Sequence, residues 1–229
     1  MRIYSFDKSV YRLENNAAEF LNGLTSNTMD KPQNAFTDIH GKIIAVFDQY
    51  KVDDEEVLIL VDEFFEKNVL AHLERYIKLS GIKMQRLNMH AYYDLDGDYK
   101  LHENEYVIPQ VKGRIVVSPH ELASNVKEPE FTVFRVQNNL PKHGVDFKDE
   151  FLLNVSEGED LVSFTKGCFL GQEPISKVHN RAKPTWKLVV KSEDECTPDE
   201  KVKMTSKILD PQDQKTKGFV FVKNPKSID

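Results

Sequence analysis

Cysteine is scarce: the 229 residues hold two, Cys168 and Cys196, with 27 residues between them and no C-x-x-C pair. An iron–sulfur cluster bound within one chain ordinarily takes four thiolates, so a stable cluster is not expected to belong to this chain alone. So few thiols also suit a reducing compartment, and the cytoplasm is the expected location. No apolar run approaches the ~20 residues that a membrane span needs. The opening MRIYSFDKSVYRLE lacks the apolar stretch of a secretory signal. Both glycine-rich nucleotide fingerprints, G-x-G-x-x-G after a strand and G-x-x-x-x-G-K-[ST], are missing, which removes NAD and ATP as expected cofactors. A basic excess is missing too: the net charge of −6 argues against a general nucleic-acid coat or a basic membrane anchor.

What is present is alternation of strand-like and helix-like stretches, over a length that suits one large domain or two modest ones. Asn16 reads as a helix cap with Glu19 at the capping-box position, followed by an apolar face of Ala17, Phe20, Leu21 and Leu24. Residues 35–52 read as a hairpin turning at His40-Gly41, and 57–61 as a buried strand. Asp62 then caps a helix with Phe65, Val69, Leu73 and Tyr76 or Ile77 at helical spacing, stopped by Ser80-Gly81. Further strands are expected around Ile82 and Met84, at 92–95 and at 106–117 about a Lys112-Gly113 turn, with a helix over 130–138. From Trp186 short β runs (188–190, 202–204, 219–222) alternate with charged turns, so a body of 1–185 is expected to be followed by a small β domain of 186–229.

The stretch 162–181 (VSFTKGCFLGQEPISKVHNR) concentrates the chemistry. Glycines at 167 and 171 allow a sharp turn or a close approach, and the apolar run 161–164 reads as a strand leading into them. Cys168 then sits on a turn beside Lys166, which favours the thiolate. A lone cysteine beside glycine is as often a small buried hydrophobe chosen for fit, and residue types alone leave both readings open.

Lys166-Gly167-Cys168-Phe169-Leu170-Gly171-Gln172-Glu173 resembles the K-G-C-[FY]-x-G-Q-E signature of the folate-binding YgfZ family, relatives of the glycine-cleavage T-protein, an aminomethyltransferase. Arg135 with Leu140-Pro141-Lys142-His143-Gly144-Val145-Asp146-Phe147 is similar to the family's R…(I/L)-P-x-x-G-x-D-(F/Y) segment. Phe20-Leu21-Asn22-Gly23-Leu24-Thr25-Ser26-Asn27 and Asp38-Ile39-His40-Gly41-Lys42-Ile43 resemble two earlier elements, in family order. The resemblance implies an α+β fold of intertwined ferredoxin-like units with a C-terminal β-barrel, here too short for a full barrel. It also implies that tetrahydrofolate or a one-carbon derivative binds at Arg135, Lys166, Gly167, Phe169, Gly171, Gln172 and Glu173, with Cys168 as a reactive thiol. Support for iron–sulfur cluster assembly or repair in client enzymes, and through them for tRNA modification, is the implied role.

The residues add detail. Phe20, Phe36, Phe47 and Phe169 are candidate walls for a flat pterin. Lys177, His179, Arg181, Lys183 and Lys187, with Trp186 among them, suit the glutamate carboxylates of a folate tail first, a solvated face second and RNA third. The rival reading is a tetrahydrofolate-dependent aminomethyl- or methyltransferase. Its relatives carry an acidic residue after the strand that ends here at Val61, where this chain aligns Asn68, with Asp62 as a substitute. Cys168 with His143 or His179 as a hydrolytic pair has no support in spacing. Asp94, Asp96, Asp98 and Glu105 mimic calcium-loop spacing, but Tyr99 stands where such a loop needs glycine, so a solvated turn is expected.

Overall fold

The computed structural model describes residues 1–156, 160–181 and 183–224. Two strands open the chain, β1 (Ile3–Phe6) and β2 (Lys8–Glu14), before helix α1 (Ala17–Asn22), a hairpin of β3 (Gln33–Thr37) and β4 (Ile43–Lys51), and β5 (Val57–Asp62). Helix α2 (Glu66–Ser80) leads to β6 (Lys83–Leu87), β7 (His90–Asp94), β8 (Tyr106–Pro109) and β9 (Arg114–Ser118). Three helices follow, α3 (Glu128–Gln137), the single turn α4 (Leu152–Val155) and α5 (Gln172–Arg181). The last elements are β10 (Trp186–Ser192), α6 (Pro198–Lys203), β11 (Thr205–Leu209) and β12 (Thr216–Lys223).

These strands form three sheets, ordered β3-β4-β5-β2-β6, β1-β7-β9-β8 and β10-β12-β11, with every pairing antiparallel. Strand β5 is the centre of the first sheet, which explains its unbroken VLILV run: Val57, Ile59 and Val61 face α1 and α2, while Leu60 on the other face packs into a core shared with the second sheet. Asp62 caps a 3-10 turn (Glu63–Phe65) that leads into α2, accepting a bond from the Phe64 N–H at 3.0 Å, and α2 itself ends at Gly81 in the left-handed conformation. Phe131 and Phe134 of α3 close the second sheet. The C-terminal sheet shares a core with the body, since Leu188, Ile208 and Phe219 pack with Val136, Phe147 and Leu152.

Four local expectations are corrected. Asn16 lies in the left-handed region and bonds Glu19 with its side chain instead of capping α1. Residues 161–164 form no strand, because their backbone is laid against another loop: Ser163 N–H bonds the Ser26 carbonyl at 2.9 Å and Ser26 Oγ bonds the Leu161 carbonyl. The run at 202–204 closes a helix, α6, whose capping box of Thr197 and Glu200 is legible as T-P-D-E. Residues 172–181, read as a turn and a cationic tail, are helix α5. The four carboxylates of the calcium-like spacing go elsewhere: Asp94 is buried on Arg114, Asp96 binds Arg2, Asp98 lies 3.4 Å from the N-terminal amine, and Glu105 accepts from Tyr99 and the His102 N–H.

Of the two signature glycines only Gly171 is under constraint. It has φ +84°, and a Cβ there would sit 2.3 Å from the Asp38 carbonyl oxygen and 2.7 Å from Thr37 Oγ1, whereas one on Gly167 would meet nothing within 4 Å. Gly171→Ala is therefore expected to cost about 3 kcal/mol in chemical unfolding, and Gly167→Ala to stay within about 0.5 kcal/mol. Equal losses would show that close approach is not what Gly171 provides.

Candidate functional site

Where the first two sheets, α3, the 139–147 segment and β10 meet, they leave a cleft of 330 Å³. Its apolar walls include Phe6, Phe47, Tyr93, Phe131 and Phe147, and its polar groups include Lys8, Gln33, Asp48, Asp62 and Gln110. Small-ligand sites have this make-up, mostly flat apolar surface with a few fixed polar atoms.

Asp48 is the centre of the polar group and is 2 % exposed. A carboxylate so buried must be paired, and three side chains do it: Lys8 Nζ at 2.8 Å, Gln33 Nε2 at 2.9 Å and Gln110 Nε2 at 3.2 Å. Each comes from a different strand or loop, so the charge ties β2, β3 and the β8–β9 turn to β4. Tyr93, nearby, is pushed upward by burial and by Asp48, and its hydroxyl donates to the Lys112 carbonyl.

On the α3 side, Arg135 is 4 % exposed and pairs with Asp146 at 2.7 Å. Its Nη2 also donates to Ser206 Oγ at 2.9 Å and its Nη1 to the Leu140 carbonyl at 3.2 Å. His143 lies flat between Phe65, centroids 3.8 Å apart, and Phe147, 5.0 Å apart. Its Nδ1 accepts from the Val46 N–H at 3.4 Å. Burial pushes its pKa down to about 4, with Lys8 adding to the fall and Lys148, Asp62 and Asp149 opposing it.

Of the residues expected at a binding site, Arg135 lines this cleft, and Lys166, Gly167, Cys168, Phe169, Gly171, Gln172, Glu173 and Arg181 do not. The signature instead grips the loop after α1. Lys166 Nζ donates to the carbonyls of Thr25 at 2.5 Å and Asn27 at 2.8 Å, and burial lowers its pKa to about 8. Phe169 is core, Cys168 is exposed, and Gln172 and Glu173 form the first turn of α5. Among the candidate walls, Phe47 lines the cleft; Phe20 and Phe36 pack on the α1–α2 side. Asn68 is exposed on α2 and away from the cleft, where Asp62 and Asp48 are the carboxylates of interest. Neither histidine named with Cys168 bonds it among the described residues: His143 is held as above, and His179 stacks on Phe164 at 3.6 Å.

Lys8, Gln33, Asp48, Gln110 and Tyr93 were missed. Asp48 had a signal, a lone charge inside the apolar strand IIAVFDQY.

No family model matches the chain. A protein of Haemophilus influenzae described as uncharacterized is 28% identical over 178 residues, which is 72% of this chain, and the chain spans 63% of that relative's length. The crystal structure of glycine cleavage system aminomethyltransferase T from Bartonella henselae superposes with a TM-score of 0.73 over 96% of this chain and 78% of that one, at 11% identity. The fold is that of aminomethyltransferase T. At such identity the likeness is one of fold, and the site must be argued from this chain's own residues. Among the described residues no helix is long and apolar enough to cross a membrane.

Two outcomes follow from this geometry. The His143 pKa is depressed from 6.5 to about 4, so the unfolded chain takes the proton first as pH falls. Stability is unaffected above pH ~6.5 and drops by about 3 kcal/mol on reaching pH ~4. His143→Phe should remove that loss, so its unfolding free energy should gain on the wild type by this amount between pH 7 and pH 4; parallel curves would reject the assignment. The exposed Cys168 should also be alkylated well before Cys196, which is 8 % exposed with its thiol pKa raised by burial. Peptide mass mapping of partly labelled protein reads the order, and Cys196 labelling first would reverse it.

Proposed function

We propose that this protein binds tetrahydrofolate or a one-carbon derivative in the cleft, as an accessory protein of the YgfZ kind that supports iron–sulfur cluster assembly or repair in client enzymes and, through them, tRNA modification. In this reading residues 1–185 form the folate-binding body, built of intertwined ferredoxin-like units. Residues 186–229 form a small β domain shorter than a full barrel, and the protein works in the cytoplasm.

The single observation that supports folate is the cleft's composition. A pterin is a flat ring with a donor and acceptor edge, and here aromatic walls surround a buried carboxylate held between two side-chain amides. Gln33 and Gln110, held in place by Asp48, would meet the ring edge, and Phe6, Tyr93 and Phe131 its faces. Bound folate would supply a one-carbon carrier, and the chain's own part is to orient it and keep water out.

Asp48 favours the accessory reading over the aminomethyltransferase. Transfer of an aminomethyl group needs a carboxylate free to hold the amine and the charge that develops. Asp48 already faces one ammonium and two amides, which leaves Asp62, bonded by the Phe64 N–H, as the cleft carboxylate on which the transferase reading would depend. Cys168 is then the exposed thiol through which clients would be served, and the cluster stays with the client.

Calorimetric titration with tetrahydrofolate and its one-carbon forms tests the reading, with Gln110→Ala expected to weaken binding about tenfold. No heat at millimolar ligand, where a 1 mM complex is still worth about 4 kcal/mol, would sink it. In cells lacking the protein, Cys168→Ala should keep folate binding and lose rescue of cluster-dependent enzymes. Full rescue would take the thiol out of the mechanism.

A further inference from the structure

The three sheets end in β3 and β6, β1 and β8, and β10 and β11. An end strand presents a row of N–H and C=O groups that another strand can join. Most of these ends are covered or broken. The Ala35 carbonyl of β3 takes the Ser26 N–H at 3.0 Å, and the Ile3 carbonyl of β1 takes the Asn125 and Val126 N–H groups at 3.0 Å. β8 ends at Pro109, β11 is interrupted by the bulge at Ser206, and α4 packs on β10. Strand β6 has none of these devices. It pairs with β2 alone, and among the described residues no backbone group of 83–87 bonds anything on its other side.

The margin beside β6 is apolar and incompletely covered. Glu66 of α2 lies 3.6 Å from Arg86 of β6, which fixes the side of the helix that faces this strand. Leu70 and Ile77, four and eleven residues further on, share that side. Leu70 is 38 % exposed, and Ile77 and Met84 are half-buried at the border of the α1–α2 core. Lys83, Gln85 and Arg86 are exposed.

We propose that β6 pairs antiparallel with β6 of a second copy of this chain, about a two-fold axis through Gln85, joining two five-stranded sheets into one. The proposal is independent of the folate reading. Two cations on an edge repel a newcomer in most registers, so register decides. The strand reads Lys-Met-Gln-Arg-Leu. Centred on Gln85, it sets Lys83 opposite the second copy's Leu87 and Met84 opposite its Arg86, and each pair occurs twice by symmetry. No like charges then stand directly opposite, the arrangement that destabilises a pair, whereas axes through Lys83 or Arg86 would oppose them. Gln85 meets itself, and two side-chain amides serve each other as donor and acceptor. Arg86 is offset within its own copy by Glu63 at 3.4 Å and by Glu66. A foreign extended segment would pair through the backbone alone, without this complementarity. No residue of β6 lines the cleft, and β3, which reaches both the cleft and the Leu170 carbonyl, is the opposite end of the sheet.

A single strand pair is a small interface, so half-dimerisation is expected at about 50 µM. Sedimentation velocity from ~1 to ~500 µM brackets that value, with amide exchange of 83–87 followed at both ends of the range. The wild type should dimerise, and its 83–87 amides should exchange more slowly at the high concentration. Gln85→Lys and Gln85→Glu each place like charges across the axis at an exposed side chain, and each should be monomeric with the wild-type unfolding curve. Mixed in equal amounts, the two variants should dimerise at least as tightly as the wild type. A wild type that is monomeric throughout, a dimer that Gln85→Lys leaves intact, or a mixture that stays monomeric would each overturn the proposal. Equal protection of 83–87 by an unrelated extended peptide would overturn it too, and would assign the edge to a foreign strand.

Discussion

Asp146 holds the cleft together. It is fully buried as a side chain and takes four donors: Arg135 Nη1 at 2.7 Å, the Lys142 N–H at 2.8 Å, Thr205 Oγ1 at 2.8 Å and Ser206 Oγ at 2.6 Å. These come from α3, from the cleft-lining loop and from the C-terminal sheet, so one carboxylate fastens three parts of the chain around the opening. Ser206 reaches it from a positive φ of 47° at the bulge in β11, a strained position that persists because the surroundings fix it. Buried ion pairs are a poor source of net stability. They are costly to break, and here that cost keeps the wall in one place. Arg135 thus lines the cleft with most of its donors already committed.

The electrostatics inside the cleft point toward holding a ligand more than toward moving protons. General acid–base catalysis wants a group titrating near neutrality. The cleft groups whose titration is displaced move the other way, Tyr93 upward by burial and His143 down to about 4. Lys8 offsets the charge of Asp48, leaving a neutral, hydrogen-bonding floor. The group brought closest to neutrality is Lys166, at about 8, and it lies outside the cleft with both carbonyl partners in place.

The sequence carried the regular elements well where one physical signal dominated. The VLILV run and the Phe65-Val69-Leu73 stripe each required a single structure, a strand buried on both faces and a helix with one apolar face. It misled where apolar residues serve contacts between loops, as at 161–164, whose backbone bonds go to Ser26 more than a hundred residues away. Signature residues were legible as an unusual cluster, and their use was not, because Gly171 and Lys166 act on partners that only the fold supplies. The cleft was least legible of all. Lys8, Gln33, Asp48 and Gln110 stand on four separate segments, and nothing local marks any of them except a charge in an apolar strand.

The hairpin of β3 and β4 joins what the cleft and the signature do. At one end Gln33 stands in register with Asp48, and both face the cleft. At the other end Thr37 Oγ1 donates to the Leu170 carbonyl at 2.6 Å, while Gly171 closes on Asp38 and Gly41. Gln33 and Thr37 are ~13 Å apart along a strand. The cleft and the Cys168 loop are therefore at opposite ends of one hydrogen-bonded hairpin, and they do not share a pocket. In the proposed accessory reading, chemistry that uses both would pass through a client that spans them. Gln33 and Thr37 are on one unbroken strand, and close-packed interiors transmit strain, so the cleft and the Cys168 loop are joined with no linker between them.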